Sequence, residues 1–204
     1  MADIETAPRG RGRPRAFDED QVLDALVELF WEQGFEAASM TEIVDAAGLN
    51  KSSLYNAFGS KDELFFLVLD RYLERRRDAL FEGAGDGGVD AVLGFLDMVR
   101  SELVSDGGAR GCLAVNSTTE LGLRDPRIAE VSARYQAMMH DVFRRPLRTA
   151  ADVGEIDPTL VEPYVATLST AMLGLSVAAR GGTSSAELHT TIDSIAALVQ
   201  SWKR

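Results

Sequence analysis

Few residues in this 204-residue chain are of types that make or break bonds, and they are scattered. There are two histidines, His140 and His189, and one cysteine, Cys112. No pair of metal-ligating side chains falls at a ligand spacing, and no Gly-x-Ser-x-Gly elbow presents a nucleophile. The sequence therefore predicts no catalytic residue, no metal site and no cofactor. The run GAGDGG, Gly83 to Gly88, formally matches G-x-G-x-x-G. A dinucleotide fingerprint needs a strand before it and a helix after it. This run follows a long, charged helical pattern and reads as an interhelical loop.

The stretch LNKSSLYNAFGSKDEL, Leu49 to Leu64, offers hydrogen-bonding chemistry instead. With Asn50 at a helix cap and 100° per residue, Leu54 and Phe58 face inward. Ser52 and Asn56 point the opposite way, Ser53 and Tyr55 lie on the flanks, and Lys51 can swing outward from the first turn. The outward face is short, polar and nearly free of acids, as a helix entering a DNA groove must be. Ser52, Ser53 and Asn56 are candidates for reading base edges, and Lys51 for a guanine edge or a phosphate. Tyr55 and the Thr41 hydroxyl are placed for phosphates. Lys61, in the first turn of the next helix, sets a cation beside free backbone N–H groups, a phosphate-binding arrangement. The competing reading of the same spacing is a solvated face on a small three-helix unit.

The elements that must position these residues are marked by their caps. Asp18 with Gln21 fits a capping box, with Phe17 and Val22 as its hydrophobic staple. Val22, Leu26, Leu29 and Phe30 then follow at helical spacing up to Gly34. Ser39 with Glu42 opens a second helix through Ile43, Val44 and Ala47 to Gly48. Asn50 caps a third, with Leu49 and Leu54 as its staple. Ser60 with Glu63 opens a long helix to about residue 82. Two short helices joined by Gly48-Leu49-Asn50 make a helix-turn-helix. Further helices are predicted over 88–104, 111–123, 126–153, 158–180 and 185–202, about nine in all. Pro146 falls inside one of them and should kink it or end it early. The fold class is all-α: an N-terminal three-helix helix-turn-helix domain followed by a larger helical domain. The expected divisions are 1–15, 16–62 and 63–204.

Composition bounds the rest. The formal charge is −11, which argues against indiscriminate nucleic-acid binding but not against one local patch, since screening reaches only about 8 Å at physiological salt. A single cysteine points to a reducing cytoplasm. The N-terminus has no apolar signal core, and the longest charge-free run, Pro163 to Ala179, is too short and too rich in hydroxyls for a membrane span. The segment PRGRGRPR places arginines at 9, 11, 13 and 15 between Gly and Pro. Arg13 and Arg15 belong to an RGRPR core that resembles an AT-hook, an arginine arm fitting a narrow minor groove. A disordered solubilising tail is the equal alternative. From Arg9 to Lys61 there are six basic and nine acidic residues. The basic ones cluster in the arm and near the third helix.

From Gly12 to Phe66 the sequence resembles the DNA-binding domain of the TetR/AcrR family of bacterial transcriptional regulators. The resemblance rests on the GF…AS turn, Thr41, Ile43, Ala46-Ala47-Gly48, Leu54-Tyr55, Phe58 and Lys61, with the acidic pair before Leu64. Ser52 departs from the family, which often has Gly there. The resemblance implies a dimeric regulator, a repressor, that binds a palindromic operator in double-stranded DNA and carries a variable effector-binding domain. It also implies that helices 158–180 and 185–202 pair with their symmetry mates. Ala171, Gly174 and Ala178 form a small-residue strip, and Leu188, Ile192, Ile195, Val199 and Trp202 form a seam for another helix. The segment RGCLAVNSTTELG resembles the start of the sixth helix in one branch of the family. Cys112, Asn116 and Thr119 share a face there. With Phe95, Met98, Tyr135, Met138 and Met139 they are expected to line a small-molecule cavity of mixed polarity, unless these residues are ordinary core. Cys112 is either a thiol activated by Arg110 and a helix N-terminus or a small buried side chain.

Overall fold

The computed structural model describes residues 17–85, 87–103 and 108–204. The arginine arm, with Arg13 and Arg15, lies outside the described residues. Nine α-helices and no strand occur among the described residues: α1 (Glu19–Gln33), α2 (Met40–Ala47), α3 (Lys51–Phe58), α4 (Lys61–Ala84), α5 (Val89–Leu103), α6 (Leu113–Leu121), α7 (Pro126–Asp152), α8 (Val161–Arg180) and α9 (Ser185–Gln200).

The N-terminal unit is built from caps and one shared core. Ser39–Glu42 and Ser60–Glu63 each close a complete capping box, and the Asn50 side chain accepts from the Ser53 N–H at 2.8 Å. At the head of α1, Asp18 accepts from the Asp20 and Gln21 N–H groups. Phe17 packs against Phe58, ring centroids 6.0 Å apart. Leu26, Phe30, Ile43 and Leu54 are fully buried, and Phe30 meets Phe65 of α4 edge-on at 5.0 Å. Removing a ring of that kind costs about 3–5 kcal/mol. The loop before α2 buries Ala38, and Gly48 takes φ +62 to end α2, so α3 leaves at a fixed angle.

In the C-terminal domain α7 is the axis, packed by α4, α5, α6 and α8. It runs unbroken through Pro146, so the expected early end does not occur. Val142, Phe143, Pro146, Leu147 and Ala150 are all buried, so burial on both sides of the proline outweighs the one hydrogen bond it cannot donate. A 3₁₀ turn at Pro158–Leu160 precedes α8, shortening the helix expected from 158. The segment from Pro158 to Arg180 is long and apolar enough to cross a membrane, yet it packs on α7, α6 and α9.

The apolar seam of α9 faces its own chain. Leu188, Ile192 and Val199 are buried, and α9 lies along α5. Trp202 stacks on Tyr164, centroids 3.7 Å apart. The faces that α8 and α9 leave open are different ones. On α8 they carry Ala166, Thr167, Thr170, Gly174 and Val177, and on α9 Thr191, Ser194, Ala197 and Leu198. The α8 face is uncharged over about three turns and the α9 face over about two, the exposed Asp193 of α9 being paired with Arg100 of α5.

Candidate DNA-binding face and ligand cavity

Among the described residues, the predicted DNA-contacting side chains of α2 and α3 reach the surface of the N-terminal unit. Leu54 and Phe58 anchor α3 in the core, while Lys51, Ser52, Tyr55 and Asn56 are exposed and Ser53 is half-buried. Thr41 is exposed in the first turn of α2. The Lys51 ammonium lies 5.9 Å from the Tyr55 ring, which leaves it at the surface. Lys61 differs from expectation in one respect. Its ammonium sits over the Phe35 ring at 4.5 Å, and the Ser60–Glu63 capping box already takes the Ser60 and Glu63 N–H groups. The N-terminus of α4 therefore offers fewer free N–H groups than the sequence implied.

Several acids of this unit are paired with arginines. Asp24 of α1 accepts from Arg71 at 2.8 and 3.1 Å and from Arg75 at 3.1 Å. The Arg71 hydrogen bond, opposed by partial burial and aided by the Arg75 charge, holds the Asp24 carboxyl below the usual range. Glu28 pairs with Arg110, and Glu36 with Arg124. Three of the acids are thus matched by arginines of α4 and the C-terminal domain. The α3 face carries Lys51 and no carboxylate.

The same contacts lock the two domains together. Trp31 donates its indole N–H to the Gly111 carbonyl at 3.0 Å. Glu120 of α6 accepts from the Phe35 and Glu36 N–H groups at 3.1 and 2.8 Å. Arg180, at the end of α8, donates to the Trp31 and Glu32 carbonyls at 3.2 and 3.0 Å, covering the free carbonyls that end α1.

A cavity of about 340 Å³ lies against this lock. Of the residues expected to line it, Phe95, Cys112, Tyr135 and Met139 do. Met98 does not: Phe95, Val99 and Glu102 form the lining stripe of α5, and half-buried Met98 sits to its side. Met138 is buried elsewhere in the core. Asn116 and Thr119 are also outside it. Asn116 donates to the Arg110 carbonyl at 2.8 Å, and exposed Thr119 donates to the Asn116 carbonyl at 2.8 Å. The shared face breaks down because Cys112 is the N-cap of α6, with extended backbone, and the helix begins at Leu113.

The cavity's polar lining was missed in the sequence. Arg76 of α4 holds Glu102 with two hydrogen bonds of 2.9 and 2.7 Å. Burial opposes the Arg76 charge, but the Glu102 carboxylate outweighs it and raises the pKa above the ordinary arginine value. Arg110 lies over the Trp31 ring at 4.3 Å. Tyr72 donates to the Cys112 sulfur at 3.3 Å, and Tyr135 lines the same cavity. Burial first, and then the facing sulfur, push both phenols well above their usual pKa, so both stay protonated donors. Gly111 holds φ +65, and a Cβ there would meet the Ser176 carbonyl oxygen at 2.5 Å. Only glycine lets this turn approach α8.

Comparison with known proteins agrees with this geometry. Residues 22–68 match the family described as bacterial regulatory proteins, tetR family. The HTH-type transcriptional repressor ComR of Escherichia coli K12 is 31% identical over 180 residues, 86% of each chain. The HTH-type transcriptional repressor BdcR of the same organism is 30% identical over 187 residues, 88% of each chain. Among solved structures, a cysteine-substituted TetR family transcriptional regulator, CifR, in complex with a 26-bp double-strand operator DNA superposes with a TM-score of 0.76. It is 30% identical and covers 94% of this chain and 100% of that one.

Proposed function

Because this chain belongs to the TetR family of bacterial transcriptional regulators, and is a DNA-binding regulator rather than an enzyme, we propose that it is a homodimeric repressor released from a palindromic operator by a small molecule. Residues 16–62 form the DNA-binding domain and 63–204 the effector-binding and dimerisation domain, acting in the cytoplasm. The observation that carries the reading is the exposed, acid-free face of α3, held by buried Leu54 and Phe58. Ser52, Ser53 and Asn56 read base edges, while Lys51, Thr41, Tyr55 and Lys61 hold phosphates. The relatives named as repressors support the sign of regulation, and the operator complex of CifR supports the mode of binding.

The dimer forms through the uncharged open faces of α8 and α9, where Gly174 allows close approach. The effector occupies the cavity bounded by Trp31, Arg110, Cys112 and Tyr135. Trp31 belongs to α1, so an occupant touches the DNA-binding unit directly and need not act only along α4. Half-sites of such dimers lie about 34 Å or a multiple apart, so a small rotation of each unit breaks the fit to both grooves. Selection of bound fragments from random duplex DNA tests the proposal. It predicts an inverted repeat. An enriched site without two-fold symmetry, or no enriched site, contradicts it.

A further inference from the structure

We propose that an acidic groove between α4 and α7 is the docking site for the chain's own arginine arm, Arg9 to Arg15, and that DNA competes with the groove for it. The groove, about 500 Å³, opens at Phe58 and Gly59, where α3 ends, and runs along α4 from Glu63 to Asp70. Seven helical steps make it about 10 Å long. Arg127 and Arg134 of α7 form its far wall, and Leu67 leaves an apolar side chain exposed in it. The lining sets Glu63, Asp70 and Glu130 against these two arginines, and both arginines are already matched. Arg134 pairs with Asp70, and Arg127 pairs with Asp125 at 2.5 Å and feels the Asp62 charge as well. With those partners the charges are two guanidiniums and five carboxylates, 2 − 5 = −3. Lys61, the cation next to Asp62 in sequence, is turned to the Phe35 ring at 4.5 Å.

The arm is tethered at the mouth of this groove. It joins the described chain at Phe17, whose ring packs on Phe58 at 6.0 Å, and Phe58 lines the groove. The eight residues from 9 to 16 span up to roughly 26–29 Å, more than twice the length of the groove. The run from Arg9 to Arg15 carries four arginines and no acid, and Gly10, Gly12 and Pro14 between them add little bulk. Exposed ion pairs are individually weak, but a tethered segment meets its site at millimolar effective concentration. Guanidiniums held by Glu130 and its neighbours cannot also neutralise phosphates. Docking therefore withholds the arm from weakly held duplexes, and a duplex that engages α3 draws it out. This release step rests on the DNA-binding reading above; the docking step does not.

The test places the photo-crosslinker p-benzoylphenylalanine at Gly12 of the full chain and maps its links by mass spectrometry, in a mixture of light and isotope-labelled chains at low salt. Without DNA, links are expected to residues 62–70 and 127–134 of the same chain, and added duplex is expected to remove most of them. Links confined to other surfaces, links only between chains, or links that duplex leaves unchanged overturn the proposal. A cycle of variants reads the energetic side. Glu130→Lys, an exposed position on α7, is measured for affinity to a scrambled duplex in the parent and in the chain carrying Arg9→Ser, Arg11→Ser, Arg13→Ser and Arg15→Ser together. The gain from Glu130→Lys should be larger with the arginines than without them by roughly 1.5- to fivefold, the worth of an exposed ion pair. An equal gain in both backgrounds is the general effect of added positive charge and contradicts docking. Failure of the regulator reading shows separately, as a selection from random DNA that returns no inverted repeat.

Discussion

The indole N–H of Trp31 and the carbonyl of Gly111, 80 residues apart in sequence, meet at 3.0 Å and join the DNA-binding unit to the rim of the cavity. Trp31→Phe deletes that bond and keeps a ring for the edge-on contact with Tyr72, now 5.2 Å between centroids. A loss of about 0.5–1.5 kcal/mol in urea unfolding is expected. Amide exchange should rise around residues 110–112. Unchanged exchange there would show that the bond does not hold the turn.

Gly174 is exposed on α8, and a Cβ added there meets nothing within 4 Å. The single chain therefore tolerates a side chain at this position. Gly174→Ala should be neutral or stabilising by up to about 1 kcal/mol in the protomer, since glycine weakens a helix interior. Gly174→Arg should fold, with unchanged helical circular dichroism, and sediment as a monomer. A folded Gly174→Arg dimer would place the interface elsewhere.

The Asp24 cluster gives a pH dependence of defined sign. Its folded pKa lies below the unfolded value of about 3.9, so its contribution is complete above that value and lost as pH falls through the folded pKa. The carboxylate is over a third exposed, so solvent screening limits the contribution to a few tenths to about 1 kcal/mol. The melting temperature of Asp24→Asn should be lower than that of the parent near neutrality, and the difference should shrink as pH falls below the unfolded value and vanish below the folded pKa. A constant difference across that range would mean that packing, not charge, is what Asp24 supplies.

Much of this was legible locally. Ser39 with Glu42, Asn50, and Ser60 with Glu63 mark the ends of α2, α3 and α4 because a cap needs only its own neighbours. The inward set Leu54 and Phe58 follows from the helical period for the same reason. Pro146 was misleading because propensity is local, whereas the burial that carries α7 through it comes from α4, α5 and α8. The cavity was legible only in part. Spacing groups Cys112, Asn116 and Thr119 on one face but cannot tell that α6 starts after Cys112, nor which way that face points. Arg76, Glu102, Arg110 and Trp31 look in sequence like solvated charges and a core ring. Their roles arise from pairings across 26 to 82 residues, which no local pattern records.

The most direct measurement is the affinity of Asn56→Ala for the selected operator and for a scrambled duplex of equal length, by anisotropy at one salt concentration. If Asn56 reads a base from the exposed face of α3, operator affinity falls by about 1–3 kcal/mol, or roughly 5–150-fold, while affinity for the scrambled duplex is unchanged. An equal loss on both duplexes, or no loss on the operator, would contradict the assignment of that face to sequence recognition.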